Sequence, residues 1–126
     1  YQEVVNHSKV KFVQPDYGQP LLDGVTPVKT SHFLDAVALL SISKTAIFSE
    51  GGLMHAAAAV NVPSVAIFGG FISPENTGYK MHKNFFVGKE PCGSLFQCQH
   101  CTKAMKKISP RIVTKKLLKL YKKAIG

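Results

Sequence analysis

Apolar positions recur with two different periods along this chain, and the switches between them lay out its elements. Val10–Gln14 (VKFVQ) is short, β-branched and aromatic, and it stops at Pro15-Asp16, so it reads as a strand. Tyr17–Pro27 carries Gly18, Pro20, Gly24 and Pro27 and reads as a loop. Phe33, Val37 and Leu40 then recur at helical spacing behind Ser31, a capping residue type, and Ser41–Lys44 ends that helix. Thr45–Ser49 (TAIFS) is apolar on both faces, as in a strand of a covered parallel sheet. Glu50-Gly51-Gly52 leads into Leu53–Val60 (LMHAAAAV), rich in the best helix former. Asn61-Val62-Pro63 stops this second helix.

Ser64–Phe68 (SVAIF) is a third buried strand and ends in Gly69-Gly70. Residues 71–84 read as a loop containing Pro74, Gly78 and Asn84, and Phe85–Val87 as a short fourth strand. Residues 88–102 are irregular and hold three cysteines. Over residues 109–125 Ser109 caps a last helix with Pro110 at its first position. Val113, Leu117, Leu120 and Ala124 give it an apolar stripe, opposite Lys115, Lys119 and Lys122. Strands alternating with helices predict an α/β fold: a parallel sheet with flanking helices and right-handed crossovers.

Length and composition fit that reading. The 126 residues suit one domain, and 45% hydrophobic content suffices for a core. No apolar run reaches the ~18 residues of a membrane span. The chain opens without methionine or a charged-then-apolar leader, as expected of a portion of a longer protein. The net charge of +9 is unevenly placed. Residues 1–90 are balanced, whereas the last stretch carries Lys103, Lys106, Lys107, Arg111, Lys115, Lys116, Lys119, Lys122 and Lys123 with no acid. A polyanion or an anionic membrane surface is the partner such a face would take, and a solvated helix face is the plain alternative.

In parallel sheets ligands bind beyond the carboxyl ends of the strands. Gly51-Gly52 and Gly69-Gly70 both fall there. Gly51-Gly52 opens into a helix, where free amides attract phosphate and glycine permits close backbone approach. His55 lies one turn further on and could add a donor, while the Glu50 carboxylate suits sugar hydroxyls. Tight turns alone would also explain the glycines. Neither the G-x-G-x-x-G nor the G-x-x-x-x-G-K-[ST] pattern is present.

Taken together, Ser49-Glu50-Gly51-Gly52-Leu53-Met54-His55, the alanine-rich helix to Val60, the Asn61-Val62-Pro63 turn and the strand ending Phe68-Gly69-Gly70-Phe71 resemble the C-terminal half of glycosyltransferase family 9. Its best-known members are the lipopolysaccharide heptosyltransferases of bacteria. Pro74–Tyr79 (PENTGY), Pro91-Cys92-Gly93, Cys98–Cys101 and Ala104-Met105 resemble one branch of that family, and the likeness spans roughly residues 27–126. It implies a GT-B fold of two Rossmann-like domains, with residues 1–126 forming most of the donor-binding one.

Carried over position by position, the resemblance implies that Glu50 contacts the transferred sugar. Gly51 and Gly52 would present amides to the donor diphosphate, His55 would bond the phosphate or sugar, and Gly69 and Gly70 would line the second wall. The catalytic base would lie in the other, N-terminal domain, so the isolated chain would be inactive. No metal cofactor is implied, and the chain has no Asp-x-Asp. The partners implied are a nucleoside-diphosphate sugar and a cell-envelope glycan or lipid-linked acceptor, at the cytoplasmic side of the membrane. Two positions depart from the family pattern: Glu50 stands for its usual Asp, and Gly51 for its Ser or Thr. Both bear on which nucleotide sugar is the donor.

Cys92, Cys98 and Cys101 form a partial zinc pattern. The C-x-x-C knuckle supplies two ligands and Cys92 a third, with His82 or His100 as a fourth. Buried free thiols or a Cys98–Cys101 pair are the alternatives, and the odd count favours a reducing compartment. His7 and His32 stand alone and read as surface groups. Two other function classes compete: a nucleotide- or phosphate-binding module without chemistry, and a basic nucleic-acid-binding domain. Only Tyr121 interleaves the basic helix, and no reader motif is present, which counts against nucleic acid.

Overall fold

The computed structural model describes residues 1–69, 73–86 and 106–126. The elements run α1 (Gln2–Ser8), β1 (Val13–Asp16), β2 (Thr26–Lys29), α2 (Phe33–Ser41), β3 (Ile47–Ser49), α3 (Gly52–Ala59), β4 (Val65–Ile67), α4 (Pro74–Thr77), β5 (Lys83–Phe85) and α5 (Pro110–Ile125). All strand pairs are parallel. β1 pairs with β2, and β3-β4-β5 form a second sheet.

β4 is the centre of the molecule, buried on both faces as its unbroken apolar run requires. Val65 and Ile67 pack with Val4 of α1 and with Val113 and Leu117 of α5. Ala66 and Phe68 point the other way, joining Leu40 of α2 and Met54, Ala56 and Ala57 of α3. The alternation of side chains along one strand thus creates two cores, with helices on both sides of a parallel sheet: a Rossmann-like α/β arrangement.

The sequence-predicted elements survive with shifts that have physical reasons. β1 lies at Val13–Asp16, not Val10–Gln14, and β2 occupies the end of the expected loop. Thr26 N–H bonds Phe12 C=O at 2.9 Å, and Thr30 N–H bonds Asp16 C=O at 2.9 Å. In a parallel ladder alternate residues bond the same neighbour, so Pro15 and Pro27 fall on the sides turned away from it, where a missing N–H costs nothing. The loop between these strands is held by side-chain amides. Gln14 Oε1 accepts from Leu22 N–H at 3.0 Å, and Gln2 exchanges two bonds with the Asp23 backbone, at 2.8 and 2.9 Å.

His32, not Ser31, is the N-cap of α2. Asp35 secures that start by accepting from the amides of Ser31 and His32, at 2.8 and 3.1 Å. The same two bonds hold its carboxyl below the usual carboxylate range. The expected loop at 71–84 contains α4, and the strand expected at Phe85–Val87 lies at Lys83–Phe85; Val87 is outside the described residues. Ser109 caps α5 as expected, accepting from Ile112 N–H. Of its stripe, Val113 and Leu117 are buried and Leu120 is partly so, but Ala124 is exposed.

Candidate functional site

Glu50 N–H donates to Ile67 C=O at 2.8 Å, so the chain stays tied to the sheet one residue past β3 and leaves it at Gly51. Gly51 has φ +155°, a conformation that L side chains rarely adopt. An added Cβ would meet nothing nearer than Ser49 C=O at 4.0 Å, so the conformation and not crowding requires glycine here. Gly51 is the N-cap of α3 and contributes no side-chain cap. Its carbonyl accepts from Met54 and His55, at 3.1 and 3.4 Å. The amides of Gly52 and Leu53 have no acceptor among the described residues. Two free donors therefore stand at the positive end of a helix dipole, at the carboxyl edge of a parallel strand.

Gly69 reaches the same edge from β4, because Ser49 is in register with Ile67. Glu50, Gly51, Gly52 and Gly69 thus stand at one edge of the sheet. Gly70 lies outside the described residues, as do Cys92, Cys98 and Cys101. Among the described residues no three His, Cys, Asp or Glu cluster as a metal site.

His55 is exposed, three residues beyond Gly52 and on the same helix face. Its Nδ1 lies 2.7 Å from the Tyr79 hydroxyl, and the two rings meet edge to face at 5.5 Å. Tyr79 in turn contacts His82 at 5.7 Å, and His82 contacts Phe48 at 5.5 Å. A chain of rings therefore runs from the exposed site into the core. His82 is only 3% exposed. Its Nδ1 accepts from Ser64 N–H at 3.1 Å, and its Nε2–H donates to Met54 C=O at 3.1 Å. Burial pushes its pKa below the ordinary imidazole value. Both ring nitrogens are thus committed to the backbone, and His82 is a strut between β4 and α3. That corrects its candidacy as a fourth zinc ligand.

Sequence reading assigned no role to Tyr79, although it closes the Pro74–Tyr79 stretch that carried part of the likeness. It also missed Tyr1, whose hydroxyl bonds that of Ser49 at the end of β3. A cavity of about 780 Å³ opens between β1, α2 and β3, and of the predicted site residues that are described only Gly52 lines it.

The sequence pattern of glycosyltransferase family 9 (heptosyltransferase) matches residues 29–109. The chain belongs to that family. No curated protein and no solved structure matches it. The family 9 match runs from the end of β2 to the cap of α5, and so includes the entire glycine edge, His55 and Tyr79. Membership implies glycosyltransferase activity. No helix among the described residues is long and apolar enough to cross a membrane.

Proposed function

We propose that this chain is the donor-binding domain of a GT-B glycosyltransferase and takes a nucleoside-diphosphate sugar at the carboxyl edge of β3 and β4. The observation that carries the reading is the start of α3. Gly51, at a positive φ that glycine accepts, leaves the Gly52 and Leu53 amides without an acceptor among the described residues, beside a histidine already oriented by Tyr79. The donor's diphosphate sits on those amides. Negative charge grows on the diphosphate as the glycosyl bond breaks, and amides fixed in advance stabilise it without reorganising. With the Tyr79 hydroxyl donating to Nδ1, His55 presents Nε2–H to the diphosphate or sugar. Glu50 accepts from sugar hydroxyls, and Gly69 and Gly70 form the second wall.

The acceptor is a cell-envelope glycan or a lipopolysaccharide-type, lipid-linked sugar, met at the cytoplasmic face. The base that deprotonates it comes from a partner domain, so residues 1–126 alone bind donor but do not turn it over. No metal is required. The exposed Lys115, Lys119 and Lys122 of α5 support a second contact, with an anionic membrane surface, at about 1 kcal/mol per near-surface lysine.

Calorimetric titration with ADP-, GDP- and UDP-sugars tests the donor reading. One nucleotide should bind, and His55→Ala should weaken it with the melting temperature unchanged. Equal binding by the variant would remove His55 from the site.

A further inference from the structure

Asn84 is a polar residue on an apolar face. It lies in the middle of β5, in register with Ala66 of β4. Side chains alternate along a strand. Phe85 accordingly packs with Val65 and Ile67 in one core, and Phe86 packs with Ala66 and Phe68 in the other. Asn84, two residues before Phe86, stands on the side of that second core, where Tyr79 also packs. Its Nδ2–H donates to the Tyr79 carbonyl at 3.1 Å. Its Oδ1 is buried and has no partner among the described residues. Turning the amide over brings no relief, because that sets Oδ1 against a carbonyl oxygen.

A buried amide oxygen without a donor costs stability. The bond that Asn84 does make is not needed to satisfy the Tyr79 carbonyl, which also accepts from His82 N–H at 3.2 Å. By hydrogen-bond satisfaction alone, an apolar side chain would suit this position better. What the bond does is tie the turn carrying Tyr79 to a strand of the sheet. Before Tyr79 the chain is held by Gly78 N–H on Pro74 C=O, at 2.8 Å. At Tyr79 itself Asn84 holds it. Anchored in this way, the Tyr79 ring sits edge to face against both His55 and His82, with its hydroxyl 2.7 Å from His55 Nδ1.

We propose that Asn84 is a positioning residue for His55. It acts through Tyr79, holding the phenol where its hydroxyl orients the imidazole at the glycine edge. The unpaired Oδ1 is the stability lost in exchange for that placement. The assignment rests on the donor-site reading of His55 and adds to it a residue from the far side of the Tyr79 turn.

Four variants separate positioning from support: Asn84→Leu, Asn84→Ala, Tyr79→Phe, and Asn84→Leu combined with Tyr79→Phe. Each is read by thermal melting, by the nitrogen NMR shifts of the His55 ring, and by titration with ADP-glucose, GDP-glucose and UDP-glucose. Leucine has the branched shape of asparagine and no polar atom, so the melting temperature of Asn84→Leu should hold or rise. Asn84→Ala leaves a void, so its melting temperature should fall. Both should move the two His55 ring nitrogens from the separate shifts of one tautomer toward averaged shifts. Both should weaken the nucleotide sugar that binds by about three- to tenfold. In the Tyr79→Phe background, Asn84→Leu should add no further loss. Unchanged His55 shifts in both single Asn84 variants would overturn the proposal. So would a further loss of binding in the Tyr79→Phe background, or a melting temperature that falls as far for Asn84→Leu as for Asn84→Ala, which would make Asn84 structural support alone. Binding of none of the three nucleotide sugars by the wild-type chain would instead refute the donor site, and the His55 shifts would still decide whether Asn84 sets the ring.

Discussion

His55 Nδ1 and the Tyr79 hydroxyl stand 2.7 Å apart, joined across 24 positions of sequence by the approach of α3 and the segment after α4. The phenol thereby orients an exposed imidazole at the glycine edge, and where it donates to Nδ1 the ring proton sits on Nε2. Tyr79→Phe should weaken nucleotide-sugar binding about three- to tenfold, the worth of one oriented hydrogen bond. The melting temperature should barely move, since both groups border solvent. Titration of the variant alongside His55→Ala checks this, and the double variant should lose no more than His55→Ala alone.

Gly78 sets where Tyr79 goes. A Cβ at this position would lie 2.6 Å from the Pro74 carbonyl oxygen, which is backbone and cannot step aside. Gly78→Ala should therefore displace the turn after α4 and reproduce the binding loss of Tyr79→Phe, with some loss of stability as well. Binding equal to wild type would show that the turn does not position Tyr79.

Gly51→Ala tests the glycine-only conformation at the start of α3. With open space around it but φ +155°, the variant should lose about 1–3 kcal/mol of stability through backbone strain alone. Thermal melting would show this as a fall of several degrees. An unchanged melting temperature would mean that the turn relaxes at no cost.

His82 makes stability depend on pH. Its folded pKa is lowered, so above the ordinary value of 6.5 folded and unfolded forms are both neutral and its full contribution is present. As pH falls below 6.5 the unfolded chain takes up a proton that the native ring resists, and stability is lost progressively toward the folded pKa. His82→Leu should cost about 1–3 kcal/mol at pH 7.5, by leaving Ser64 N–H unpaired and removing the second bond to Met54 C=O. It should also reduce the drop in stability between pH 7.5 and 5.5. Denaturant unfolding at the two pH values measures both effects.

The central part of the fold was legible because its signals are local. A short β-branched apolar run such as Ser64–Phe68 favours a buried strand, and Asn61-Val62-Pro63 disfavours continuing a helix. The outer part was less so. Pro15 and Pro27 read as breakers until the ladder shows their nitrogens on the unpaired side. α1 carries only Val4, Val5 and Ser8 as an inward face, too little periodicity to announce a helix. In the site, the glycine edge was readable from residue types next to one another. The Tyr79 contact was not, because it joins two distant segments, and the fate of His82 was decided by burial, which a lone histidine does not reveal.

An amide NMR titration of this chain with ADP-, GDP- and UDP-sugars addresses donor binding at the glycine edge most directly. One nucleotide should shift Gly51, Gly52, Leu53, His55 and Gly69 together, with millimolar binding, and leave the β2 amides still. Shifts confined to Lys115–Lys123, or no shifts at the α3 start with any of the three, would contradict a donor site there.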